Sequence, residues 1–162
     1  MKQLLLASVL LASTAAQAQL HSASEITAAS ARKLSDAALA TCQAQGKAIV
    51  VTVLDRGGNI VSVQRADGVG PHNTEASRRK AYTALSTKSD TYLLANAARS
   101  NPDMQNLASM PELLLLGGGL PLKAHGQVVG AIGVAGGGGS LPDRACAMAA
   151  IAAVPELDPL TP

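Results

Sequence analysis

Two runs rich in β-branched residues, Ala48 to Asp55 and Ile60 to Asp67, are separated by the turn cluster Arg56-Gly57-Gly58-Asn59. Branching at Cβ favours extended backbone, and a glycine-bearing turn between two such runs specifies a β-hairpin. The hairpin commits the chain to an antiparallel sheet. What remains is to find the strands that extend that sheet and the helices that cover it.

Upstream, Glu25 to Gln45 reads as a helix with Ile26, Leu34, Ala38 and Cys42 near one face, Ser24 or Thr27 as cap, and Gly46 in the left-handed position at its end. Downstream, Gly68 to Asn73 is expected to be a loop carrying Pro71 and His72. Thr74 opens a helix on which Glu75 can pair with Arg78 or Arg79. A further helix, Ser89 to Arg99, stops at Asn101-Pro102, and Met104 to Met110 adds a helical turn. Leu113 to Leu116, Leu120 to Ala124 and Val128 to Ala135, separated by Gly117-Gly118-Gly119 and His125-Gly126-Gln127, read as a three-stranded meander. A last helix spans Pro142 to Val154. The expected fold is α+β, one five-stranded antiparallel sheet covered by helices, in a single domain over residues 19–154. Residues 155–162 are expected to form a frayed tail.

The 162 residues are 48% apolar and 15% charged, as in one globular domain. Tyr82 and Tyr92 are the whole aromatic complement, so the core must be aliphatic and stacking platforms for bases are excluded. Thirteen basic against eleven acidic residues give no basic stripe for nucleic acid or anionic membrane. Lys2, the apolar run Leu4 to Ala12 and Ala16-Gln17-Ala18 have the pattern of a cleaved secretory leader, residues 1–18, with the product periplasmic or secreted. The run is too short for an integral membrane segment. In such a compartment Cys42 and Cys146 can pair, closing a loop of about 100 residues. Two separately buried thiols fit the spacing equally well.

Hydrolase, zincin and P-loop signatures are absent from the sequence, and His21, His72 and His125 lack metal-type spacing. The loop Gly136 to Gly139 precedes a helix, so its N–H groups, those of Gly136 and Gly137 among them, can hold an anion. A plain turn capped by Ser140, with Asp143 in the first helical turn, accounts for it as well. Arg78, Arg79 and Lys80 form a second candidate anion site, or a solvated face neutralised by Glu75. Helical spacing puts Arg78 with Tyr82, and Arg79 with Thr83.

Val51 to Arg65 (VTVLDRGGNIVSVQR), Asp67 to Ser86 (DGVGPHNTEASRRKAYTALS), Gly117 to Pro121 (GGGLP), Gly126 to Gly136 (GQVVGAIGVAG) and Asp143 to Ala147 resemble, in order, the GlcG/HbpS-like haem-binding proteins, relatives of the C-terminal domain of PduO-type cobalamin adenosyltransferases. The resemblance implies a profilin-like α/β/α sandwich and homo-oligomers of up to eight copies. It also implies haem as cofactor, with slow haem degradation in some members and a sensor protein as partner for some exported ones. It places Thr83 at the haem contact. A threonine hydroxyl is a poor iron ligand and His72 is the stronger Lewis base, so His72 and Thr83 are the candidate metal ligands. Arg78, Arg79 and Lys80 are available for the propionates, and Tyr82 is the one aromatic near them. The expected function is an exported haem-binding protein, a sensing or scavenging accessory. The alternatives are an enzyme acting on haem or on a small carboxylated substrate, and an oligomeric module without ligand.

Overall fold

The computed structural model describes residues 22–160; the expected leader lies outside them. The order is α1 (Ala28–Gln43), β1 (Val50–Leu54), β2 (Ile60–Arg65), α2 (His72–Thr87), α3 (Thr91–Ser100), α4 (Pro102–Gln105), a 3-10 turn (Asn106–Ser109), β3 (Gly119–Ala124), β4 (Gln127–Ala135) and α5 (Ser140–Ala152). The sheet runs β2-β1-β4-β3, antiparallel throughout, so the two hairpins join through β1 and β4. Helices lie on both faces, which gives the α/β/α sandwich. Among the described residues no helix is long and apolar enough to cross a membrane.

The larger core lies on one face of the sheet, where Val51, Val53, Leu122, Ile132 and Val134 meet Leu34 and Ala38 of α1 and Ala147 and Ile151 of α5. Alternation in β1 and β4 sends these side chains to one face and leaves Leu54 and Ala131 for the other, against Ala81 and Ala84 of α2. Cys42 and Cys146 are disulfide-bonded with Cα atoms 5.8 Å apart, tying α1 to α5.

The seat of α2 is made of missing side chains. Gly119 and Gly133 face each other across β3 and β4. A Cβ at Gly133 would lie 2.0 Å from the Ser77 carbonyl oxygen, and one at Gly119 would lie 2.2 Å from that of Lys80. The helix backbone therefore rests directly on the sheet, closer than any Cβ-bearing pair permits. Thr52 and Ser77 share a buried hydrogen bond of 2.7 Å beside this contact.

The sheet has four strands instead of five, because Leu113 to Leu116 do not pair with it. Side chains of α2 and α3 take up their backbone groups: Arg79 donates to the Leu113 carbonyl, Thr83 Oγ1 accepts from Leu114 N–H at 2.8 Å, and Thr91 Oγ1 donates to the Leu116 carbonyl at 2.9 Å. Backbone polar groups satisfied in this way have no need of a ladder. The first helix begins at Ala28, three residues later than expected, since Ile26 N–H bonds to the Val129 carbonyl and Thr27 is the cap. His72 begins α2 instead of standing in the loop before it. Ser140 does not cap α5; its Oγ accepts from Gly117 N–H, and Gly139 occupies the cap position.

Nor does the tail fray over its described part. Leu157 is buried, and Asp158 accepts from His125 N–H at 2.9 Å and Gly126 N–H at 2.7 Å. His125 and Gly126 have φ of 52° and 76°, the double left-handed geometry of a type I′ hairpin turn. A carboxylate across both N–H groups of that turn offsets the cost of a histidine in the left-handed region.

Candidate functional site

Both hairpin turns and the C-terminal half of α2 converge on an open groove of about 550 Å³. Tyr82, Leu85, Ser86 and Lys88 come from the helix and its cap, Arg56 and Gly57 from the β1–β2 turn, and Gly126, Gln127 and Val128 from the β3–β4 turn. The groove brings together the β1–β2 turn, the second half of α2 and the β3–β4 turn, while the glycine runs at 117–119 and 136–139 lie outside its lining. Gly58, at φ 82°, has no side chain between the turn and the Tyr82 ring; a Cβ there would lie 3.2 Å from the ring edge. The glycine of the D-R-x-G turn is thus the seat of the tyrosine in the R-K-A-Y-T-A helix.

The turn is fixed by Asp55, which accepts from Asn59 N–H at 2.8 Å and from the Asn59 amide. Burial raises the Asp55 carboxyl, but hydrogen bonds from the Asn59 side chain and from the backbone of Asn59, Gly57 and Gly58 outweigh it and hold the carboxyl below its ordinary value. Lys88 caps α2 at φ 54°, an uncommon conformation for a lysine, and is exposed where it lines the groove.

The other residues expected to act at the site are placed elsewhere. Lys80 runs inward to Asp143 at 2.7 Å, with side chains 2% and 4% exposed, and donates also to the Val134 carbonyl at 3.0 Å. Burial lowers the Lys80 ammonium below its ordinary value, against the opposing charge and hydrogen bond of Asp143. Asp143 accepts in addition from Gly137 N–H at 2.7 Å, so the chain's own carboxylate takes an N–H that the sequence offers to an external anion. Gly136, at φ 113°, lies against the Ala48 carbonyl.

Arg78 is paired with Glu75 and Glu112, both at 2.7 Å. Hydrogen bonds with those carboxylates raise Arg78 above its ordinary value, and the Arg78 bond holds Glu75 below its own. Arg79 holds the Leu113 carbonyl, and its buried Nε has no partner among the described residues. Thr83 is fully buried, donating to the Arg79 carbonyl and accepting from Leu114. His72 stands eleven residues before Thr83, the other expected ligand, on the same helix, about 16 Å along its axis. Among the described residues there is no cluster of three or more His, Cys, Asp or Glu side chains fit to hold a metal ion. Of the expected residues, then, only Tyr82 lines this groove. Arg56 and Lys88, which complete it, were not singled out; Arg56 lies inside the D-R-x-G motif, whereas nothing in the sequence marks the C-cap of α2.

The family model for "Haem degrading protein HbpS-like" matches residues 26–152. A 15.0 kDa protein from the dhaT-dhaS intergenic region of Citrobacter freundii is 33% identical over 114 residues, covering 69% of this chain and 80% of that protein. The crystal structure of a double mutant of HbpS from Streptomyces reticuli matches with a TM-score of 0.78 at 35% identity, over 88% of this chain and 96% of that one. A crystal structure described as a PduOC:haem complex shares the fold, with a TM-score of 0.75 at 23% identity over 85% and 99% of the two chains. On a match that spans most of its length, the chain belongs to the HbpS-like family, as the GlcG/HbpS-like resemblance of its motifs implies.

Proposed function

We propose that the protein binds haem in the groove beside Tyr82. The observation that carries this reading is the meeting of a phenol, two cations and an apolar wall in one groove built by the family's own motifs. The residues present fit the group. Arg56 and Lys88 are suited to hold propionates, Leu85 and Val128 offer aliphatic contact to the macrocycle, and a tyrosine phenolate is an established type of haem ligand. Haem, when bound, supplies a Lewis-acidic, redox-active iron; the chain's part is to orient it and to shield one face. The HbpS-like family description and the haem complex of a neighbour of the same fold support the reading.

Export to the periplasm or beyond completes it. The leader pattern supports export, and so does the Cys42–Cys146 disulfide, a bond that persists in oxidising compartments. In that setting the protein is a haem sensing or scavenging accessory, assembled into homo-oligomers. The test is expression of the full sequence, cell fractionation, and hemin titration of the purified protein followed by absorption. The expected result is recovery from the periplasm or medium and a saturable Soret shift at one haem per chain. Recovery from the cytosol would overturn export, and a linear, non-saturating response would overturn haem binding.

A second reading is favoured by the family description alone: oxidative degradation of the bound haem. Loss of haem absorbance with peroxide faster than that of free hemin supports it, and equal rates contradict it.

A further inference from the structure

A second groove, of about 290 Å³, lies beyond Lys88 along the β3 edge of the sheet, between α3, α5 and the docked tail. Its volume is near the low end of small-molecule sites, roughly 300–1,000 Å³. Leu93 of α3 and Pro159 and Leu160 of the tail give it an apolar lining over the buried Leu120 and Pro121 of β3, and Leu93 is 57% exposed. Three cations stand around that lining: Lys88, Lys123 and Arg144.

The two carboxylates present are already engaged. Asp90 accepts from Tyr92 N–H with one oxygen and from Arg144 Nε with the other, while Asp158 holds His125 and Gly126 N–H. Neither Lys88 nor Lys123 has a carboxylate partner among the described residues. The lysine at 123 is also held in place, since its carbonyl accepts from Asp158 N–H at 2.8 Å. Two unpaired ammonium groups beside an aliphatic trough are complementary to a ligand with one carboxylate head and one aliphatic tail.

We infer that this groove binds small amphipathic monocarboxylates of the medium-chain fatty-acid type. The head group sits between Lys88 and Lys123, and the chain lies against Leu93 and Leu160. Lys88 stands on the wall common to both grooves, so the two ligands share that cation, and Lys123, which lines the second groove and not the first, separates the two readings.

Isothermal titration of the full chain with decanoate, decanol and decylamine tests it. Decanoate is expected to bind saturably at one per chain, and decylamine not at all. Lys123→Glu is expected to weaken decanoate binding by about tenfold or more, the effect of losing one charge contact, and Lys123→Met by less. Hemin titration and circular dichroism of both variants should match the native protein. Absence of saturable decanoate binding, equal binding by decanol, or unchanged affinity in Lys123→Glu would overturn the inference.

Discussion

Lys80 Nζ lies 2.7 Å from Asp143 Oδ2, joining α2 to α5 past the end of the sheet with both side chains out of contact with water. Gly118, just before β3, leaves room for this contact. A Cβ at Gly118 would lie 2.5 Å from the Val134 carbonyl, 2.8 Å from Asp143 Cβ and 3.2 Å from Lys80 Nζ. A buried ion pair of this kind adds little net stability over an apolar pair, but breaking it leaves a lone buried charge. Lys80→Met should therefore cost about 3–5 kcal/mol, and Lys80→Met combined with Asp143→Leu less than the sum of the single changes. Urea midpoints of the three variants measure this.

The seating of α2 on glycine predicts a sharp contrast between substitutions. Gly133→Ala drives a methyl into the Ser77 carbonyl and should destabilise by about 3 kcal/mol or more, shifting the helix away from the sheet. Gly46→Ala meets open space and suffers only the left-handed strain at φ 70°, about 1 kcal/mol. Thermal unfolding of the two single variants separates backbone contact from backbone conformation.

The Cys42–Cys146 bond spans 104 positions in sequence and closes most of the domain into one loop. In the chain-entropy description a loop of that size stabilises by about 4–5 kcal/mol. Both cysteines are fully buried, so reduction should need transient unfolding. The native chain should resist thiol reductant in buffer, become reducible in urea, and refold with a lower midpoint once reduced.

Acid should loosen the groove through Asp55. Its carboxyl is held below the ordinary 3.8, so the folded state favours the ionised form. The stabilisation is present above that unfolded value and is lost as pH falls through the lower, folded one. Below pH 3.8 the protection of the Arg56 to Asn59 amides, relative to their intrinsic exchange rate at each pH, should fall in the native protein. In Asp55→Asn that protection should already be low at neutral pH and stay low on acidification.

The hairpin, the three long helices and both ends of the glycine-rich stretch were legible in the sequence because local propensity and turn chemistry agree there. Leu113 to Leu116 was not, since an apolar tetrapeptide looks the same whether its carbonyls meet a strand or the side chains of Arg79 and Thr91. Lys80 misled for a related reason. Within the run Arg78-Arg79-Lys80 the three cations are equivalent by type, and only the fold determines that one turns inward to Asp143 while Arg78 stays with Glu75 and Glu112. Of the candidate site, Tyr82 could be read from its motif. Its convergence with Arg56, Lys88 and Val128 depends on β1–β4 pairing, which joins two hairpins far apart in sequence.

The central claim, that haem sits at Tyr82 in the groove, is tested most directly by comparing hemin complexes of Tyr82→Phe and Thr83→Val with the native protein by absorption and resonance Raman spectroscopy. The account predicts that the native complex shows phenolate-to-iron charge transfer, that Tyr82→Phe abolishes it and weakens binding by about tenfold or more, and that Thr83→Val leaves the spectrum unchanged. An unaltered spectrum in Tyr82→Phe, with the change appearing in Thr83→Val, would contradict it.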